Sequence, residues 1–355
     1  MSHTFNTSTH RIGFACIWAE INKKGQISST EGLNTGGTTW AWAKRNSRDV
    51  AEKRIMEIVE RNINNTHNLL KRVATLDPQL RMVRMSSDII PFYTLDEFVD
   101  FWQDADNQRT LAKWFEPLGV TARQNDIRLS FHPDQFVVLA SDRPEVVEKS
   151  IQEFEYHTDM ARWMGYGCTF QDMKINVHIS GRRGTQGIRD TYGRLSPEAR
   201  NCLTLENEEI SYGLDDCLSL SDLVPVVLDI HHHWVREGVY IQNTDDNVKR
   251  VIDSWRGIRP TMHYSVSRED ILLDHCPNTL PNHAHLIANG HNKQKLRAHS
   301  DYYWNVATNR WALSFNSQFD IMCESKAKNL ASFKLYEELK NVEQNQELIQ
   351  TARAA

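Results

Sequence analysis

The chain lacks long apolar runs, paired cysteines and nucleotide-cradling glycine loops, and each absence closes off a class of function. Apolar stretches such as Leu223–Leu228 fall far short of the roughly 20 residues that span a bilayer. The opening stretch MSHTFNTSTHR has no apolar core of a secretory signal, so a cytoplasmic setting is expected, nucleoid-associated if the source is prokaryotic or viral. The six cysteines (Cys16, Cys168, Cys202, Cys217, Cys276 and Cys323) show no CxxC spacing, which suits reduced thiols and argues against a disulfide framework or a thiolate zinc site. No GxSxG and no P-loop is present, and no GxGxxG follows the first β-type run, so neither a serine hydrolase nor a nucleotide fold is indicated. Excess positive charge is missing too. Lys and Arg number 41 against 46 Asp and Glu, a net charge of -5, which excludes coating nucleic acid by bulk charge but leaves room for a local basic groove or bound cations.

What is present is an ordinary globular balance, 40 % hydrophobic and 25 % charged, together with 15 histidines over 355 residues. Short β-type runs alternate with amphipathic stretches along the whole chain. The runs are 11–18, 81–87, 127–132, 174–179, 202–206, 225–230, 260–265 and 319–324. Several, such as PVVLDI and KINVHI, read as apolar on both faces, as parallel strands covered by helices do. Helical periodicity covers 48–74 (Ile55, Ile58, Val59, Ile63, Leu70, Val73) and 145–163 (Val147, Ile151, Phe154, Ala161). Asp142-Arg143-Pro144 makes a start signal for the second of these, and 219–223, 245–255 and 329–339 are further helices. The alternation predicts an α/β fold, a single (β/α)₈ TIM barrel over 1–355 with long loops at its C-terminal face; the rival is a doubly wound open sheet. A polar tail at 1–10, a His-rich insertion at about 268–300, and a C-terminal helix and tail at 329–355 flank or interrupt it. The segment 22–48, with Trp40 and Trp42, and the insertion are too long for simple connections, and long loops in barrels are commonly functional.

The ends of the last six runs carry the chemistry. They deliver His132, His178, Glu206, Asp229, His263 and Glu324 in turn, and in a barrel these ends converge on one mouth. Each alone is unremarkable: Glu206-Asn207-Glu208-Glu209 can be a solvated helix start, and His231–His233 can be one ligand with two bystanders or an exposed turn. Together they are costly to bury without compensating cations. Imidazole plus carboxylate without thiolate suits Zn²⁺ or Mn²⁺. Glu206 is the candidate bridge between one site with His132 and His178 and another with Asp229, His263 and Glu324. His232 reaches toward a third ion with a ligand from the His-rich insertion.

At these residues the chain resembles the UV-damage endonuclease family, related in fold to endonuclease IV and xylose-isomerase-like barrels. The matching segments are RIGFAC, RMVRMSSDIIPF, RLSFHPDQF, NVHISG, LENEE, VVLDIHHHW, HYSVSR, AHSDYYW and FDIMCESKAK, in family order from Arg11 to Lys328. The resemblance implies a metal-dependent DNA-repair enzyme that nicks duplex DNA immediately 5′ to cyclobutane pyrimidine dimers or 6-4 photoproducts. It implies the ligands His132, His178, Glu206, Asp229, His232, His263, His299 and Glu324, with His299 as the loop partner of His232 and with His283 and His285 as competitors for that place. Glu206, His132, Asp229 and Glu324 are the expected catalytic set, with two or three divalent cations, Mn²⁺ ahead of Zn²⁺ or Mg²⁺. Gln135 and Phe136 match the Gln–aromatic pair wedged opposite the lesion, although on its own Phe136 reads as core.

Lys44, Arg45, Arg182, Arg183, Lys293 and Arg297, joined by Arg48 and Lys295, are candidate phosphate contacts on mouth-side loops. The expected partner is lesion-bearing duplex DNA, with no membrane and no obligate protein partner. Four features depart from the family pattern: Phe14 and Phe136 where tyrosine is common, Thr261 where relatives often carry lysine, and an insertion at 268–300 longer than the family's. The rivals are an abasic-site endonuclease, a sugar isomerase or epimerase using Glu206, Asp229, His263 and Glu324, and a damage-binding module without turnover.

Overall fold

The structure, a computed structural model, describes residues 5–6, 8–272 and 275–354. Residues 1–4 and 7 of the expected tail, Leu273 and Asp274 of the insertion, and Ala355 lie outside the described residues. Its strands are β1 (Ile12–Ala15), β2 (Ala19–Ile21), β3 (Ile27–Ser29), β4 (Met82–Arg84), β5 (Arg128–Phe131), β6 (Lys174–His178), β7 (Leu203–Glu206), β8 (Val226–Asp229), β9 (Thr261–Tyr264) and β10 (Asp320–Cys323). Eight of them close a parallel barrel in the order β1-β10-β9-β8-β7-β6-β5-β4, the expected TIM barrel, while β2 and β3 form a separate hairpin. Every barrel strand falls inside one of the eight sequence runs, trimmed by one or more residues at the ends.

The strands alternate more strictly than their sequence suggests. In β6, Ile175 and Val177 join the apolar layer beneath the helices, whereas Lys174, Asn176 and His178 turn to the barrel interior. KINVHI is therefore a two-faced strand with a polar inner row, not one apolar on both sides. The same inner row holds Arg128 and Ser130, Thr204 and Glu206, Thr261 and His263, and Asp320, all buried. Gly13 is required where β1 passes β4, because a Cβ there would stand 2.6 Å from the Met82 carbonyl oxygen.

Outside the barrel, the helix Arg48–Ala74 buries each of its six expected apolar positions. Pro144 opens the helix Pro144–Trp163 as expected, but its N-cap is Arg143 and no side chain caps it. The helix expected at 219–223 lies earlier, at Leu214–Leu218, started by Gly213 accepting no side-chain role beyond its N–H donating to Asp216 at 2.8 Å. Toward the end of the chain the helix Asn329–Ala354 continues through the polar stretch after Leu339. Two long helices carry breakers that obscured them: Pro117 and Gly119 within Ala105–Gln124, and Gly187 within Gly184–Tyr192. Neither long loop is structureless. The first holds the tip of the hairpin, β3 and the helix Trp40–Ala43, and the insertion holds helices His283–Ala288 and Lys293–Leu296. Among the described residues no helix is long and apolar enough to cross a membrane.

Candidate metal centre

Register places the candidate ligands at one level. His178 pairs with Glu206 across β6 and β7, and Asp229 with His263 across β8 and β9, so their side chains emerge side by side at the C-terminal mouth. His132 and Glu324 are the first residues beyond β5 and β10. Glu206 is fully buried at the centre. Its Oε2 lies 3.3 Å from His132 Nε2 and 3.9 Å from His178 Nε2, and Asn176 donates to the same oxygen, itself fixed by accepting from Thr204. Its Oε1 lies 3.0 Å from His263 Nδ1 and 3.6 Å from His232 Nδ1.

Three groups bring their ligand atoms within reach of one ion: His132–Glu206–His263, His178–Glu206–His232, and Glu206–Asp229–His263–Glu324. The last is the second site expected from sequence. The first site is regrouped, because His132 and His178 share Glu206 Oε2 from different sides and each finds a different second imidazole. Three of these atoms are buried without any hydrogen bond: Glu206 Oε1, Asp229 Oδ2 and His263 Nδ1. Buried polar atoms are normally paired, so donors that converge without bonding one another fit a divalent cation. His132 Nδ1 donates to the Pro133 carbonyl at 3.0 Å, which leaves the Nε2 lone pair facing Glu206.

The electrostatics follow the crowding. Burial works against the Glu206 charge, but His263, His178 and His132 hold its carboxyl well below the usual range. Burial, reinforced by the Glu206 and Glu324 charges, pushes Asp229 well up instead. Burial also lowers His263 to about 4, while His232, opposed by burial but ringed by Asp229, Glu206 and Glu209, is raised to about 9. Arg84 on β4 pairs with Glu324.

Two residues that the sequence did not place at this centre lie beside it. Lys174, in the row below, is buried with Nζ 3.0 Å from His263 Nε2, and burial lowers its pKa to about 7. It approaches from β6, whereas Thr261, whose Oγ1 is buried without a partner, sits in the His263 strand. Glu209, expected at a solvated helix start, is 5 % exposed and lies 3.6 Å from His232. No helix follows β7 there; Asn207 is buried and clasps the Asp229 backbone, accepting from its N–H and donating to its carbonyl, both at 2.9 Å. Period-2 alternation in KINVHI was the available signal for Lys174, and nothing local marked Glu209.

The histidine run begins the helix Ile230–Glu237, capped by Asp229 accepting from the His232 N–H at 2.6 Å. Of the three, His232 alone faces the carboxylates. His231 is buried between Ser265 and Ser267, and His233 turns toward a groove beside Asp215 and Arg236. The ring of His299 is 6.5 Å from that of His232 and lies outside the three groups above. His283 Nε2 donates to the Val235 carbonyl at 3.1 Å, and His285 is exposed beside Asn289. Like His299, neither belongs to the three groups.

Phe136 is 76 % exposed, beside exposed Gln135 on the loop after β5, so it is not core. Several candidate phosphate contacts are already engaged. Arg297 donates to Glu209 at 2.7 Å, Lys293 to the Arg236 carbonyl at 2.7 Å, Arg183 pairs with Asp190, and Arg48 with Glu52 and Asp100. Arg182 keeps a loose 3.3 Å contact to Asp142 with an 87 % exposed side chain, Lys44 lies over Trp40, and the Arg45 Nε donates to Ala41 at 3.2 Å. A cleft of about 680 Å³ beside the loop after β4 shares Ser87 with this face but contains none of the candidate ligands, and its Lys149 is paired with Asp96.

Comparison with known proteins agrees with this architecture. A UV DNA damage endonuclease of Bacillus cereus (strain G9842) is 25 % identical over 318 residues, 85 % of this chain and 88 % of that protein. One of Bacillus mycoides (strain KBAB4) is 24 % identical over 322 residues, covering 86 % and 88 %. The solved structure of SacUVDE superposes with a TM-score of 0.69 at 24 % identity, covering 94 % of this chain and 99 % of that one. The family model described as UV-endonuclease UvdE matches residues 10–353, and the chain belongs to that family.

Proposed function

We propose that this chain is a DNA-repair endonuclease that hydrolyses the phosphodiester immediately 5′ to a UV photoproduct, a cyclobutane pyrimidine dimer or a 6-4 lesion, using two or three divalent cations. The observation that carries the reading is the convergence of three His–carboxylate groups on Glu206 at the barrel mouth, in a chain of the UV-endonuclease family. His132, His178, Glu206, Asp229, His263 and Glu324 hold two cations, and His232 with His299 holds a third. Divalent cations bound there supply Lewis acidity to the scissile phosphate and lower the pKa of water, with Mn²⁺ the first candidate and Zn²⁺ or Mg²⁺ the alternatives.

The chain's own groups set up that chemistry. Glu206 joins the groups through its two oxygens, held by Asn176. Asp229 and Glu324 offer carboxylate oxygens from opposite sides of His263, and Arg84 orients Glu324. Gln135 and Phe136 project from the mouth, where an aromatic plane can fill a disrupted stack and an amide can replace lost base hydrogen bonds. A lesion already weakens stacking there, which favours damaged duplex over intact. Lys44, Arg45 and Arg182 are the cations best placed to meet phosphate; Lys293, Arg183 and Arg297 first hold the protein's own carbonyls and carboxylates.

The test is strand cleavage of end-labelled duplexes carrying a thymine dimer, an abasic site or no damage, each with Mn²⁺ and with EDTA. The expected result is a Mn²⁺-dependent nick just 5′ to the dimer, lost in Glu206→Gln with the fold retained by circular dichroism. Cleavage at the abasic site alone, or robust nicking by Glu206→Gln, overturns the proposal.

A further inference from the structure

On the β8 side of the mouth, His232, a member of one Glu206 group, also faces a carboxylate outside those groups. His232 Nδ1 sits 3.0 Å from the Asn207 carbonyl oxygen, which can only accept, so this nitrogen carries the ring proton. A metal-facing lone pair must then come from Nε2. What Nε2 faces, at 3.6 Å, is Glu209 Oε2. Glu209 is 5 % exposed, and its Oε1 accepts from Arg297 at 2.7 Å, which fixes the carboxylate with its second oxygen toward His232. Two ligand atoms at this spacing fit one cation with bonds of roughly 2.0–2.2 Å.

His299 is the further imidazole beside His232. Its ring is 6.5 Å from that of His232, and its backbone is bridged to Ser267. Buried His231 supports that bridge: Ser267 donates to the Leu296 carbonyl at 2.6 Å, and His231 Nε2 lies 3.2 Å from the same hydroxyl.

We propose that Glu209 is the carboxylate ligand of the cation held by His232 and His299, and that Arg297 positions Glu209. The inference rests on the multi-cation reading above. Two imidazoles and one carboxylate are a ligand set suited to a first-row divalent cation. Arg297, expected from sequence to grip DNA directly, acts one step back.

The test uses the full chain, stripped with chelator and reloaded with Mn²⁺. Bound Mn²⁺ per chain is counted by equilibrium dialysis with mass spectrometry, for wild type, Glu209→Gln, His299→Asn, their double variant, Glu206→Gln and Arg297→Met. Melting of each metal-free protein checks that it folds. Glu209→Gln and His299→Asn are each expected to lose the same single cation, and the double variant no more than either. Arg297→Met is expected to keep the count while binding that cation roughly 10–100-fold more weakly. Unchanged count and affinity in folded Glu209→Gln, or additive losses in the double variant, overturn this proposal alone. A wild-type chain that takes up no Mn²⁺ overturns the multi-cation reading with it.

Discussion

Ser87 Oγ lies 2.8 Å from His157 Nε2, while His157 Nδ1 donates to the Glu153 carbonyl at 2.7 Å. Burial pushes the pKa of this ring down to about 4, so it is neutral at pH 7. The folded chain binds this proton only below that value, whereas the unfolded chain binds it below about 6.5. Between the two the unfolded state holds more protons, so stability drops as pH falls from about 6.5 to 4, by up to ~3 kcal/mol from this group. His157→Gln should lose less stability on acidification than the wild type, as read from urea denaturation at pH 7 and pH 4.5. Parallel losses in the two proteins would refute the assignment.

At the scale of elements, the loop after β5 separates two tasks. Val137 and Leu139 are buried and anchor it, and the Val137 N–H donates to the Asp134 carbonyl at 3.0 Å, turning Gln135 and Phe136 outward. Phe136→Ala should leave stability within about 0.5 kcal/mol, since little of the ring is buried, yet should sharply reduce cleavage at a dimer. A stable variant that cleaves dimers at the wild-type rate removes the wedge role. Strand ends were the most legible part of this chain, because one inward residue in two must point into a barrel and the last of each row reaches the mouth. His132, His178, Asp229, His263 and Glu324 could be placed that way around Glu206. Helix positions behind Pro117 and Gly187 were not legible, because close packing, such as Gly187 against Ala140, outweighs local helix preference there. Glu209 was not legible either: its burial depends on Arg297, 88 residues further on, and local composition carries no trace of such a contact.

Across the whole molecule, the two ends of the barrel hold charge differently. At the mouth, carboxylates and imidazoles converge with atoms left unbonded. At the base, buried Asp320 accepts from the Arg11 N–H at 2.9 Å, from Arg128 Nη1 at 2.7 Å and from Arg259 Nε at 2.8 Å. This ties β1, β5 and β10 to the segment entering β9. Asp320→Asn would leave buried guanidinium groups short of their counter-charge and should cost about 3–5 kcal/mol, measured by urea denaturation. A loss below 1 kcal/mol, against that expectation, would mean that the base is held by packing instead. The His-rich insertion has a closed neck. The Arg268 N–H donates to the Ala298 carbonyl and the Ser300 N–H to the Val266 carbonyl, each at 3.0 Å, so the excursion leaves and returns through a single antiparallel clasp. Doubling the length of a loop pinned in this way costs only about 0.6 kcal/mol of closure entropy. Added length between the two sides of the clasp therefore costs little closure entropy, and His299, seated at the clasp, stays in register.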